Sequence, residues 1–368
     1  MKKRKAVWML AVCAGVFLLS GCGGKNQKIY EQAEKDFRQG SYEYALQGYQ
    51  TSAANGWKTA ESWRGVGICQ MRMGNDQEAI GSFTNALEAE KAGEGLKKDV
   101  LSYRATAEWN CGLYEDAMAD CQTLAEEYSM DADIYYLTGR VALSMDAYNE
   151  ASLNFEQAYG EDSTYDRAIQ IYEAYLERGM EADGTRYLEA ALLTEPKSSE
   201  DYCDRGRVYY YMEDYASAQQ ELIKASNDGS TEALLLLGNV YFAQGDTSNA
   251  RSMYQEYISK ENSPAAGYNG LVLCDIAEGK YGDALTNISN GLPYSSTGEM
   301  QNLLYNEIVV YEKQLDYAAA LQKAREYQEM FPEDKSIAKE IIFLKSRVTT
   351  ASADTPVVES DAAAETVQ

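Results

Sequence analysis

The chain has 368 residues, a mass of 40.9 kDa, a formal charge of -25 and a pI near 4.4, and it contains no histidine. These values exclude imidazole catalysis by Ser-His-Asp or Cys-His sets and zinc sites that use His; so acidic a chain is also a poor ligand for nucleic acid, whose phosphates need Lys and Arg. A mean hydropathy of -0.47 excludes a polytopic membrane protein, and 5 Pro against 30 Tyr and 28 Gly suits a mostly helical chain.

At the start, Lys2, Lys3, Arg4 and Lys5 precede an apolar run of 14 residues, Ala6 to Leu19. A membrane-spanning helix needs roughly 20 residues, so 1–21 reads as a secretory signal peptide. The run ends Leu19-Ser20-Gly21-Cys22, which resembles the lipobox of bacterial lipoproteins. The resemblance implies cleavage before Cys22 and a diacylglycerol on its sulfur, and two acyl chains suffice for stable anchoring. Losing the four basic residues takes the charge from -25 to -29 and leaves 347 residues. Residues 22–28 then form a short lipidated tether. The expected address is the cell membrane, facing outside the cytoplasm, with the acidic body repelled by an anionic lipid surface.

A repeat fills the following residues. Ala45, Ala79, Ala117, Ala151, Gly184, Ala218, Ala250, Ala284 and Ala320 recur at steps of 34, 38, 34, 33, 34, 32, 34 and 36. Five residues before most of them stands a turn glycine (Gly40, Gly74, Gly112, Gly179, Gly245, Gly279), with a tyrosine two positions after that place in most units. Within 230–259, Leu234, Leu237, Gly238 and Tyr241 share one helix face at i, i+3, i+4 and i+7. Gly245 ends that helix, and Ala250 and Tyr254 mark a second. Gly238 and Ala250 let the two helices approach closely. One such hairpin buries too little to stand alone, and stacking on neighbours gives a shared core.

The step of 38 predicts a long exposed turn over 88–98. Near the end, Ile337, Ile341 and Leu344 form one apolar face, with Lys335, Lys339, Lys345 and Arg347 as a wet surface, as a capping helix requires. Residues 349–368 hold four acidic and no basic residues and read as a disordered tail. Cys69, Cys111, Cys121, Cys203 and Cys274 are an odd number with no CxxC, so small buried side chains are the simplest reading. Whether Cys111 and Cys121 pair stays open.

The repeat resembles the tetratricopeptide family, a helix-turn-helix unit of 34 residues. Trp63, Val66 and Gly67 in one unit, and Tyr202, Gly206 and Tyr209 in another, look like its first-helix pattern, and Pro196 and Pro332 look like its closing proline. The Sel1-like repeat is a related alternative, suggested by residues 52–67. The resemblance implies an all-α, right-handed superhelical solenoid of about nine repeats over 29–348, cap included.

It also implies that the first helix of each pair lines a concave groove. Off the packing face there stand Tyr30, Phe37, Arg38, Arg64, Met71 and Arg72, then Trp109, Tyr136, Arg140, Arg207, Tyr210 and Tyr211, and finally Asn239, Phe242, Asn269 and Tyr305. Tyr, Trp and Arg dominate binding hot spots, and Arg pairs bidentately with carboxylates. The expected function is a non-enzymatic protein-interaction scaffold of the cell envelope holding a partner peptide or protein. A receptor-like subunit for a glycan, peptide or small ligand is the alternative. No P-loop, GxSxG or EF-hand loop occurs, and no catalytic residue, metal or cofactor is expected.

Overall fold

A computed structural model describes residues 22–332 and 334–353, without the side chains of 22, 23 and 349–353. The expected signal peptide over 1–21, the side chain of Cys22 on which a lipid is expected, and residues 354–368 of the expected tail lie outside the described residues.

Every regular element among the described residues is helical, and nine hairpins follow one another. They are α1 (Cys22–Arg38) with α2 (Tyr42–Ala54), α3 (Thr59–Arg72) with α4 (Asp76–Glu88), α5 (Glu94–Asn110) with α6 (Tyr114–Glu127), and α7 (Ala132–Ser144) with α8 (Tyr148–Glu161). Then come α9 (Tyr165–Glu177) with α10 (Glu181–Ala191), α11 (Ser199–Tyr211) with α12 (Tyr215–Asn227), and α13 (Thr231–Ala243) with α14 (Thr247–Lys260). The last are α15 (Ala265–Ala277) with α16 (Tyr281–Gly291), and α17 (Thr297–Lys313) with α18 (Tyr317–Met330), before α19 (Ser336–Ala353). The chain divides into two units. Unit one runs to Ser163 and includes Ala174–Gly179; unit two holds Thr164–Glu173 and Met180 onward.

Small side chains set the spacing within each hairpin. All eight marker alanines are 0% exposed. A Cβ added at Gly67 would lie 2.5 Å from the Phe83 ring, and one at Gly139 would lie 2.7 Å from Phe155. Tyr254, 1% exposed, lies against two glycines, since a Cβ at Gly238 or Gly270 would come within 2.4 or 2.5 Å of its ring. Its hydroxyl donates to Asn239 Oδ1 at 2.9 Å. In the fifth repeat even alanine is too large: a Cβ at Gly184 would stand 2.9 Å from the Tyr172 Cα, a backbone atom that cannot turn aside.

The turn between paired helices has one geometry throughout. Gly40, Gly74, Gly112, Gly179, Gly245 and Gly279 have φ of 69–79°, and Asp146, Glu213 and Leu315 take the same place at 59–62°. The left-handed residue is thus a property of the repeat, and glycine only makes it easy.

Three expected boundaries shift. The long turn over 88–98 shrinks to five residues, because α5 begins at Glu94 and is 17 residues long against 13 for α3's neighbour α4. The four-residue excess in the step is one added helical turn. Leu96 packs on the Phe83 cluster, Lys97 pairs with Glu94 at 3.0 Å, and Lys98 reaches Asp131 at 2.7 Å. At the ends, α1 already includes residues 22–28 and α19 continues to Ala353. Asn55 Nδ2 donates to Asn26 Oδ1 at 3.1 Å, which ties this first stretch of α1 to the end of α2.

The cap has its expected inner face. Ile337, Ile341 and Leu344 are buried against Ile308, Ala324 and Tyr327. Its outer face is not purely polar, since Ile342 is 69% and Phe343 41% exposed. Cys69, Cys121, Cys203 and Cys274 are buried thiols; burial pushes Cys69 and Cys203 up to about 12 and Cys121 and Cys274 to about 11, so they serve as apolar filler. No bridge joins Cys121 to Cys111.

Candidate functional site

The first-helix face of unit one is ordered by two repeat positions. Three residues before the left-handed turn residue stand Phe37, Met71 and Trp109, and two residues before it stand Arg38, Arg72 and Asn110. The first row is half-buried and the second exposed. Phe37 meets Tyr42 edge-on at 5.5 Å, and Met71 packs on the Phe83 cluster. Between α1 and α3 lies a cleft of about 190 Å³ lined by Glu34, Phe37, Arg38, Tyr49, Arg64 and Ile68. Arg38 and Arg72 make no ion pair among the described residues, whereas Asn110 Nδ2 donates to Asp76 at 3.2 Å.

The other expected arginines are already engaged. Arg64 is ion-paired with Asp99 of α5 and lies 5.4 Å from the Tyr103 ring. Arg140 stacks on Trp109 at 3.8 Å, lies 5.9 Å from the Tyr136 ring, and reaches Glu177 at 3.2 Å. Trp109 Nε1 donates to Ser144 Oγ at 2.8 Å. Within unit two, Arg207 holds Asp166 at 2.7 Å and Asp204 at 3.1 Å, and the Tyr211 hydroxyl donates to Glu173. Asn306 donates to Asn269 at 2.8 Å. Apart from the Arg207–Asp204 contact on one helix, these bonds span 35 to 41 residues, so each crosses from one first helix to the next. The first-helix face is therefore a ladder of internal pairs. Asp99, Asp166, Glu173 and Glu177 are its acidic half, and the spacing of about one repeat between each acid and its partner is the signal that would have found them.

Several expected contact residues belong to the packing instead. Tyr30 is 9% exposed and edge-on to Tyr49 at 5.5 Å, inside the core, because α1 turns it toward α2. Tyr210 and Phe242 pack against neighbouring clusters, and Asn239 is held by Tyr254. Tyr305 stays 38% exposed, with its ring 6.3 Å from that of Tyr327.

A second polar feature repeats inside the hairpins. Residues 12 apart face each other: Ser82 donates to Gln70 at 2.6 Å, and Asn287 donates to the fully buried Asp275 at 2.7 Å. At the same place between α5 and α6 two acids meet. Asp120 takes both bonds from Arg104 at 2.7 Å, while Glu108, 6% exposed, is 3.7 Å from that guanidinium and leaves Oε2 without a partner. Burial first, and then the Asp120 charge, push Glu108 up to about 7.

Residues 203–266, from α11 into α15, match the family model for the tetratricopeptide repeat. Those residues carry tetratricopeptide repeats. It is 23% identical over 289 residues to the BBSome complex member BBS4 homolog of Drosophila melanogaster, covering 77% of this chain and 54% of that protein. The chain thus spans about half the length of the curated relative it matches. Among solved structures it is similar to a tetratricopeptide repeat protein from Parabacteroides merdae, at 19% identity over 68% of this chain and 99% of that one, with a TM-score of 0.46. It is similar too to pilF of Pseudomonas aeruginosa, at 14% identity over 58% and 97% of the two chains, with a TM-score of 0.40. The tetratricopeptide fold points to a protein-interaction scaffold. No described helix is long and apolar enough to cross a membrane.

Proposed function

We propose that this protein is a non-enzymatic scaffold, lipid-anchored through Cys22 on the outer side of the bacterial cytoplasmic membrane, that holds an acidic segment of a partner protein along α1, α3 and α5. The observation that carries this reading is the pair of exposed arginines, Arg38 and Arg72, at one repeat position beside the half-buried row Phe37, Met71 and Trp109. In a chain of -25 these two cations make no ion pair among the described residues, while their inner neighbours are neutralised. A segment with apolar side chains on the first row sets its carboxylates against the second. The helix C-termini at these positions favour the arginines as well, but that effect is worth only about 0.3–1 kcal/mol and does not account for the apolar row.

The test is capture of envelope proteins by the soluble chain from Gly23, compared with Arg38→Glu/Arg72→Glu. Loss of capture with unchanged helical content is expected, and unchanged capture rejects the site. Cys22→Ala should release the protein from the membrane fraction; full retention of that variant rejects the anchor.

A further inference from the structure

The first hairpin has an open side. A trough of about 460 Å³ runs between α1 and α2, lined by Lys28, Ile29, Gln32, Ala33, Asp36 and Tyr44 among others, and no described residue outside these two helices borders it. Later hairpins reveal the use of this face. In the third, Arg104 takes the place of Gln32, thirteen residues before the marker alanine, and donates to Thr84 of the preceding hairpin at 3.1 Å. In the seventh, Tyr241 takes the place of Asp36, and its hydroxyl accepts from Gln219 of the preceding hairpin at 2.8 Å. The trough is therefore the face by which a hairpin stacks on the one before it, and among the described residues α1 has no hairpin before it. A repeat surface of this kind is stable when covered.

Two residues set the trough apart from its equivalents. Gly48 stands where the other eight hairpins carry a side chain, from Ser82 to Lys323, and a Cβ there would lie 2.8 Å from that of Ala33. Tyr44, 70% exposed, stands where Glu78, Asp116, Glu150, Asp183 and Asp283 stand in other hairpins. The charge differs as well. Residues 22–54 hold four basic and four acidic residues in a chain of -25, so two copies can meet at this end with little repulsion.

The trough is also self-complementary. Lys28 and Asp36 share one face of α1, four residues on either side of Gln32, or about 6 Å along the helix. Lys28 makes no ion pair among the described residues, and Asp36 Oδ1 accepts from Gln32 Nε2 at 2.7 Å. A two-fold axis at Gln32 sets Lys28 of each copy against Asp36 of the other. Gly48, opposite Ala33, lies close to the same axis, where a missing side chain lets two copies approach.

We infer that this protein pairs with a second copy through the trough, α1 against α1 about a two-fold axis near Gln32, with Lys28 on Asp36 across the axis and Tyr44 of each copy over Ile29 of the other. A face of this kind is used up when two copies meet, so the assembly stops at two.

The test is sedimentation equilibrium of the chain from Gly23 to Gln368, which lacks only Cys22 of the described residues, in about 150 mM salt to screen the net charge. A dimer that dissociates in the micromolar range is expected. Tyr44→Asp, which installs the acid that other hairpins carry, weakens it about tenfold or more with helical content unchanged. Lys28→Glu and Asp36→Lys each weaken it to a similar degree, and the double variant regains most of the loss, because the pair is then reversed across the axis. A monomer at about 100 µM overturns the inference. So does a dimer that the single variants leave intact, or one that the double variant fails to restore. Binding to phosphatidylglycerol vesicles by a chain that stays monomeric, lost in Lys28→Glu, assigns the trough to lipid and overturns the pairing.

Discussion

Leu315 holds a left-handed backbone at φ 62° with its side chain 70% exposed, at a position where six repeats have glycine. It gains no packing to offset the strain. Leu315→Gly should therefore raise unfolding stability by about 0.5–1 kcal/mol in urea, the left-handed penalty less the added chain entropy of glycine. Glu108 is a residue-scale conflict of another kind. Its folded value of about 7 lies above the ordinary 4.5, so burial favours the neutral carboxyl. A raised acid costs nothing below pH 4.5, costs progressively more up to pH 7, and costs a constant amount above it. Glu108→Gln should thus stabilise the chain by about 1–2 kcal/mol at pH 8 and leave it unchanged at pH 4, read from urea midpoints at the two pH values. Residue types made part of this visible: the marker alanines and Gly238 pointed to close helix approach before any coordinates. They could not reveal that Glu108 faces Asp120, because the 12-residue register across a hairpin depends on turn length, and the left-handed turn at Asp146, Glu213 and Leu315 has no glycine to betray it.

The hairpins themselves were legible as elements, since small residues at a fixed period leave few alternatives to stacked helix pairs. α5 was not. Gly93 and Gly95 read as turn residues, yet Gly95 sits where a side chain would meet open space, and the turn that contains it is held by Leu96 and by the Lys98–Asp131 pair. The amide of Lys97 already bonds to the Gly93 carbonyl at 3.0 Å. Amides from Lys97 to Leu101 should accordingly exchange with solvent as slowly as those in the middle of α7; exchange at loop rates would show that the exposed-turn reading was right. The first-helix ladder escaped a single-chain reading for a related reason. An arginine on a helix face looks available until its acid, one repeat away, is placed beside it. The chemistry that suits Arg64, Arg140 and Arg207 to a partner's carboxylates pairs them with Asp99, Glu177 and Asp166 within the protein.

At the scale of the molecule, charge governs. With a formal charge of -25, the folded chain repels itself, and added salt screens that repulsion. Raising NaCl from about 20 to 300 mM shortens the screening length several-fold. It should raise the melting temperature by a few degrees and weaken capture at Arg38 and Arg72, two effects of opposite sign from one cause. A melting temperature that falls with salt would mean that internal pairs, not net charge, dominate. Tyr254 gives the array a different property. Its ring is gripped by Gly238 from its own hairpin and by Gly270 from the next, so neither repeat can loosen without emptying the other. Unravelling that begins at the C-terminal end of the array should stall at this shared ring, which makes the seventh and eighth repeats the latch where stepwise fraying gives way to all-or-none melting.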